Sequence, residues 1–170
     1  MGETLLFCFL FALITGGFLA FHFTPGDGLT VYDGAYEPLR GTPMSDAYAS
    51  ILRISFDVDG GLRMRQLHHK SLFVLILGVC VWVVLARHRY AIAAVALCVA
   101  GGIAGYASAD DVLSAYVAGT IWWYALHLVL ALAMIAVLVK ASLWEAARQP
   151  RTLGLMALAL CIALLMIWWI

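Results

Sequence analysis

Five runs of about 17 to 21 mostly apolar residues divide this chain of 170 residues. An α-helix rises about 1.5 Å per residue, so about 20 apolar residues cross the roughly 30 Å hydrocarbon layer of a bilayer. Residues 4–23 (segment A), 67–85 (B), 90–106 (C), 118–138 (D) and 152–169 (E) meet that requirement. Only 12% of residues are charged, about half the share usual in a soluble domain. Mean hydropathy is +0.98. The chain is therefore expected to be all-α, an integral membrane helix bundle whose first partner is the lipid bilayer. Formal net charge is zero and there is no basic run, so no nucleic-acid partner is expected.

The first 23 residues have no positively charged start and no small-x-small cleavage signal, so they are expected to stay as a helix. Cys8, Cys80, Cys98 and Cys161 each sit inside an apolar run. None forms a Cys-x-x-Cys or Cys-x-x-Cys-His pattern, so these cysteines are expected to pack as small apolar side chains.

Residues 24–66 are different in kind. They hold Pro25, Pro38 and Pro43 and most of the acidic residues, and form a long extramembrane connection between segments A and B. Within it, residues 45–56 (SDAYASILRISF) carry apolar side chains at helical spacing behind Ser45, a suitable N-cap. That pattern predicts an amphipathic helix on the membrane surface.

Loop charge sets the expected orientation. Arg87, His88 and Arg89 lie between segments B and C, and Lys140, Arg148 and Arg151 between D and E. The C–D connection carries Asp110 and Asp111 and no base. By the positive-inside rule the basic turns and the N-terminus are cytoplasmic, and the long connection lies outside. Arg40, Arg53, Arg63 and Arg65 in that outer connection oppose the trend.

The histidines are the chemistry-bearing residues. His22 and His88 fall at helix ends, where a solvated ring is expected. His127 lies inside segment D between WWYAL and LVLAL, and an ionisable group within a membrane span is costly enough to mark a functional site. It is either a metal or haem ligand or a histidine hydrogen-bonded to a neighbouring helix. A second axial ligand must come from similar depth on another helix, and His68 of segment B enters from the same side. His69 points about 100° away from His68 around the helix, so the two cannot face one haem together.

The chain resembles the cytochrome b / b6 N-terminal haem-binding domain in four places, in order. They are TGGFLAFHFTP (residues 15–25), DVDGGLRMRQLH (57–68), the pair Gly105-Tyr106, and YALH (124–127). The resemblance covers roughly residues 1–140 and implies a four-helix core. Residues 1–143 would form that bundle, with the connection 24–66 outside the membrane, and residues 144–170 an additional C-terminal transmembrane helix. In the family, two helices each carry two histidines fourteen residues apart, about 21 Å along the axis, and hold two stacked haems. Here the outer pair maps onto His68 and His127, whereas the inner positions are Trp82 and Ala141. The outer glycines map onto Gly16 and Gly105, and Ala91 stands at an inner glycine place.

The resemblance thus implies one haem b, near the outer (periplasmic) face, with His68 and His127 as axial ligands of the haem iron. Arg65, one turn before His68 on the same face, is expected to meet a haem propionate. The family's long C–D connection and its Pro-Glu-Trp-Tyr element have no counterpart here, which puts family-style quinol oxidation in doubt. The function implied is a non-catalytic, mono-haem electron-transfer subunit of a respiratory or redox complex in a bacterial inner membrane. Its implied partners are a cytochrome c or an iron–sulfur protein, with quinone and a homodimer as further candidates. A haem-free structural or assembly subunit is one alternative, and a quinone-reactive anchor of a peripheral dehydrogenase or hydrogenase is another.

Overall fold

The computed structural model describes residues 2–86, 89–109, 119–148 and 152–169. It is a helix bundle. The helices are α1 (Gly2–His22), α2 (Asp46–Phe56), α3 (Gly61–Ala86), α4 (Arg89–Ser108), α5 (Thr120–Ala146) and α6 (Leu153–Trp169). Helices α1, α3, α4 and α5 are long and apolar enough to cross a membrane. Helix α6, the expected fifth span, has 17 residues in the described chain, the short end of what a bilayer needs.

Several boundaries differ from expectation. Helix α3 starts at Gly61 rather than near residue 67, so Arg63 and Arg65 are helical. Helix α5 runs on to Ala146, which places Lys140 inside the helix and not in a turn. Arg148 folds back over the Trp144 ring, 3.5 Å from its centre. The charges Arg87, His88, Asp110, Asp111 and Arg151 lie outside the described residues, as does most of the connection after α4.

Helices α1, α3, α4 and α5 form the core, with α6 packed on α1 and less extensively on α3. The end of the bundle that carries His68 and His127 is called here the histidine end. The opposite half is packed solid. Trp82 is only 2% exposed, Ala141 1%, and Leu138 and Ala91 not at all. They share one apolar cluster with Leu5, Cys8 and Val79. The backbone N–H of Gly2 donates to Glu145 Oε2 at 3.0 Å, tying the start of α1 to the last turn of α5.

The connection 24–66 is ordered over the histidine end. Strands β1 (Leu29–Val31) and β2 (Pro43–Ser45) pair antiparallel, with Thr30 opposite Met44. This small sheet was not anticipated, because three-residue strands leave no measurable alternation. Tyr32 is fully buried beneath the excursion between the strands. That excursion closes at Gly41, whose φ of +83° favours glycine. Ser45 caps α2 as expected, accepting from the Tyr48 N–H at 3.1 Å. The apolar face of α2 turns onto the bundle. Ile51 and Ile54 are buried and border the central cavity. At the corner into α3, a Cβ on Gly61 would overlap the Ile54 carbonyl oxygen, so only glycine lets the two helices meet there.

The buried indole of Trp82 makes the solid half testable. Trp82→Ala is expected to cost about 3–5 kcal/mol of stability, read as loss of helical signal against denaturant in detergent. A cost below about 1 kcal/mol would show that the indole does not fill that space.

Candidate functional site

The site begins with a problem of polarity. An imidazole placed among apolar helices must satisfy its N–H or carry the cost of burying it. Both His68 and His127 solve this through backbone carbonyls of a neighbouring helix. His68 Nδ1 lies 3.0 Å from the Ala12 carbonyl oxygen of α1. His127 Nδ1 lies 2.8 Å from the Gly101 carbonyl oxygen of α4. A carbonyl only accepts, so each Nδ1 carries the hydrogen and donates. Each Nε2 is then left with its lone pair, the state a metal ligand needs. Thr15 Oγ1, 3.3 Å from His68 Nδ1, closes the first arrangement while donating back to the carbonyls of its own helix.

Close helix approach makes these bonds reachable. A Cβ on Gly16 would sit 2.9 Å from His68 Cε1, and one on Gly105 would sit 3.1 Å from His127 Cε1. The two glycines expected to make room for a cofactor thus also make room for the histidine rings. Gly101 and Gly105 form a Gly-x-x-x-Gly pair on α4, the pattern that lets membrane helices pack closely.

The two imidazoles lie edge-on to one another, with ring centroids 6.2 Å apart and planes at 71°. With metal–nitrogen bonds of about 2 Å and a ring centre about 1 Å behind its nitrogen, two trans imidazoles on one metal place their centroids about 6 Å apart. Among the described residues no group of three or more His, Cys, Asp or Glu side chains gathers. Two imidazoles are a donor set that fits haem. The histidines border a cavity of about 340 Å³ walled by α1, α3, α4 and α5, with Phe9, Leu13, Leu72, Leu97, Ala131 and Met134 among its apolar lining. That volume lies within the range of cofactor sites.

Arg65 also borders the cavity, on the rim. Its Nη1 donates to Ser55 Oγ of α2 at 3.1 Å. His69 borders the cavity too, its ring 5.3 Å from that of Tyr106 and 6.5 Å from His68. His22 sits among Phe18 and Phe21 at the end of α1, away from the pair. His88 lies outside the described residues.

No family model matches the chain. Individual relatives do match. The cytochrome b subunit of the cytochrome bc1 complex of Corynebacterium efficiens is 36% identical over 126 residues, which is 67% of this chain and 23% of that protein. The corresponding subunit of Streptomyces coelicolor is 44% identical over 81 residues, 48% of this chain and 15% of the relative. That of Mycobacterium tuberculosis is 46% identical over 87 residues, 51% and 16% respectively. The chain is a relative of cytochrome b. It spans less than a quarter of the length of these curated relatives. The cytochrome b relationship agrees with the apolar helices, and the chain is a multi-pass membrane protein.

Sequence reasoning missed three groups of contributors to this site: the Ala12 and Gly101 carbonyls, the Thr15 hydroxyl, and the α2 side chains Ile51 and Ile54. The Gly-x-x-x-Gly spacing was the one available signal, since it marks where a neighbouring helix comes close. Backbone carbonyls leave no trace in residue type.

The tautomers are open to measurement. Nitrogen NMR of the cofactor-free protein labelled at histidine is expected to show Nδ1 protonated and Nε2 bare at both His68 and His127. Gly16→Ala is expected to displace the His68 ring and perturb its signals, leaving those of His127 nearly unmoved. Equal perturbation of both would argue against the local contact.

Proposed function

We propose that this chain is a mono-haem electron-transfer subunit of a membrane redox complex, with one haem b held between His68 and His127. The observation that carries this reading is the half-buried imidazole pair, 6.2 Å between centroids, with each Nδ1 committed to a carbonyl. Haem bound by two imidazoles supplies reversible one-electron transfer without a vacant site for oxygen.

The chain's own residues supply the rest. Ala12 and Gly101 hold the rings at fixed tilt and raise their basicity through the Nδ1 hydrogen bonds. Gly16 and Gly105 let the rings stand close to the backbone. The apolar walls exclude water, which favours a stable, low-reorganisation site. Arg65 would bind a propionate at the rim, held in place by Ser55.

One haem rather than two is favoured by the residues fourteen positions along from each ligand. Trp82 and Ala141 have no nitrogen lone pair to offer, and both are buried in a filled cluster. The proposed circuit therefore exchanges electrons at the histidine end, with a partner subunit such as a cytochrome c or iron–sulfur protein, or with a bilayer quinone. The positive-inside pattern favours that end as the periplasmic one in a bacterial cytoplasmic membrane, with the N-terminus cytoplasmic.

Pyridine haemochrome assay against protein mass is expected to give one haem per chain. A ratio near two would sink the single-haem reading, and zero would favour a haem-free scaffold. His68→Ala and His127→Ala are each expected to abolish the low-spin spectrum, with His69→Ala retaining it. Arg65→Gln is expected to speed haem loss or flatten the pH dependence of the midpoint potential. No change in either would remove Arg65 from the site.

A further inference from the structure

Helix α3 carries one stripe that faces away from the bundle. Phe73, Leu77, Val81 and Val84 fall on it at spacings of three and four residues, and all are exposed. Extending the stripe back toward the histidine end gives Arg63, Gln66 and Lys70 at the same spacing. Arg63 and Gln66 are exposed, and Lys70 is half-buried. The stripe thus changes abruptly from basic to wholly apolar after Lys70, as a helix does where it passes from headgroups into hydrocarbon.

Two cations on that border need anions. Within the connection Arg53 pairs with Asp33 at 2.8 Å, and neither Arg63 nor Lys70 has an ion-pair or hydrogen-bond partner among the described residues. Lys70 lies a full turn beyond Gln66, next to Ser71 and Leu72, where an unpaired ammonium at the hydrocarbon edge is costly. Its flexible stem lets the ammonium reach back toward the surface. Arg63 stands about 10 Å further out along the same stripe, so the two side chains close on one region from below and above. The group that fits has negative charge, sits at headgroup depth, and brings acyl chains to cover Phe73 and Leu77.

We propose that Arg63 and Lys70 form a binding site for the phosphodiester of an anionic phospholipid, whose chains lie along the α3 stripe. The site is on the opposite face of α3 from the haem cavity and does not depend on the haem reading. It gives the sequence a reason to keep an arginine and a lysine at an end of the bundle where the positive-inside rule expects few.

The test uses the full chain, delipidated in neutral detergent and titrated with phosphatidylglycerol or phosphatidylcholine, with bound lipid counted by native mass spectrometry. A preference for phosphatidylglycerol on the order of tenfold is expected at low salt. Arg63→Gln and Lys70→Gln are each expected to remove most of that preference, and the double variant all of it. Helical circular dichroism and a monodisperse elution profile in detergent serve as the folding control for all three variants. Excess inorganic phosphate is expected not to compete, since it lacks the chains that hold the lipid on the stripe. No preference in the wild type, preference unchanged in the folded double variant, or full displacement by inorganic phosphate would each overturn the proposal.

Discussion

The arrangement at the centre of this bundle depends on a hydrogen bond from an imidazole N–H to a helix carbonyl that already has an intrahelical partner. A carbonyl oxygen has two lone pairs, so the Ala12 and Gly101 oxygens can serve both roles. For a side chain on one helix to reach the backbone oxygen of the next, the helices must come closer than ordinary side chains allow. Glycine at 16, 101 and 105 and alanine at 12 meet that need. The polar requirement of two buried rings therefore dictates small residues on the facing helices, and those in turn set the spacing around the cavity. Because α1 receives one ring and α4 the other, all four core helices are fixed relative to one site.

The two halves of the bundle then obey different rules. Near the histidines, small residues and short hydrogen bonds frame a cavity. Beyond them, the interior is filled mainly by apolar side chains, with Trp82, Leu138 and Ala141 almost wholly enclosed. Membrane helices gain little from hiding apolar surface, since lipid is equally apolar, and are held instead by dispersion and close fit. A large void in the second half would forfeit that fit. Trp82, the largest fully buried side chain, and Ala141, one of the smallest, are members of one apolar cluster that closes this space.

Much of this was legible in the sequence, for a physical reason in each case. Apolar length reveals spans because the bilayer has a fixed thickness. His127 stood out because a polar ring in hydrocarbon is costly, and His68 because the ring needed a partner at matching depth. Ser45 revealed the start of α2 through its capping chemistry. The α3 start was misplaced because Arg63 and Arg65 looked like loop charges, although helix geometry tolerates them readily at a bilayer edge. Lys140 was misplaced likewise on α5. The β1–β2 pairing was invisible, since its register is set by partners sixteen residues apart along the chain, Leu29 and Ser45, and not by local pattern.

The connection 24–66 completes the site in a way that neither spans nor loops do alone. Several of its polar bonds run toward the rim. The Thr24 N–H donates to Ser50 Oγ, and the Asp46 and Ala47 N–H groups donate to the Gly28 and Gly26 carbonyls, which binds the strand after α1 to α2. Asp27 Oδ1 accepts from the Thr120 N–H at 3.0 Å at the start of α5, and that hydrogen bond holds the Asp27 carboxyl below its ordinary range. Phe23 leans on Tyr124 one turn further in, with ring centres 5.2 Å apart. Ser55 receives Arg65 of α3. Through these contacts α1, α2, α3 and α5 are joined at the mouth of the cavity, where their apolar packing is weakest. Apolar fit secures the floor of the bundle and directional polar bonds secure its rim. A cavity large enough for a cofactor can persist between the two without the helices sliding together to fill it.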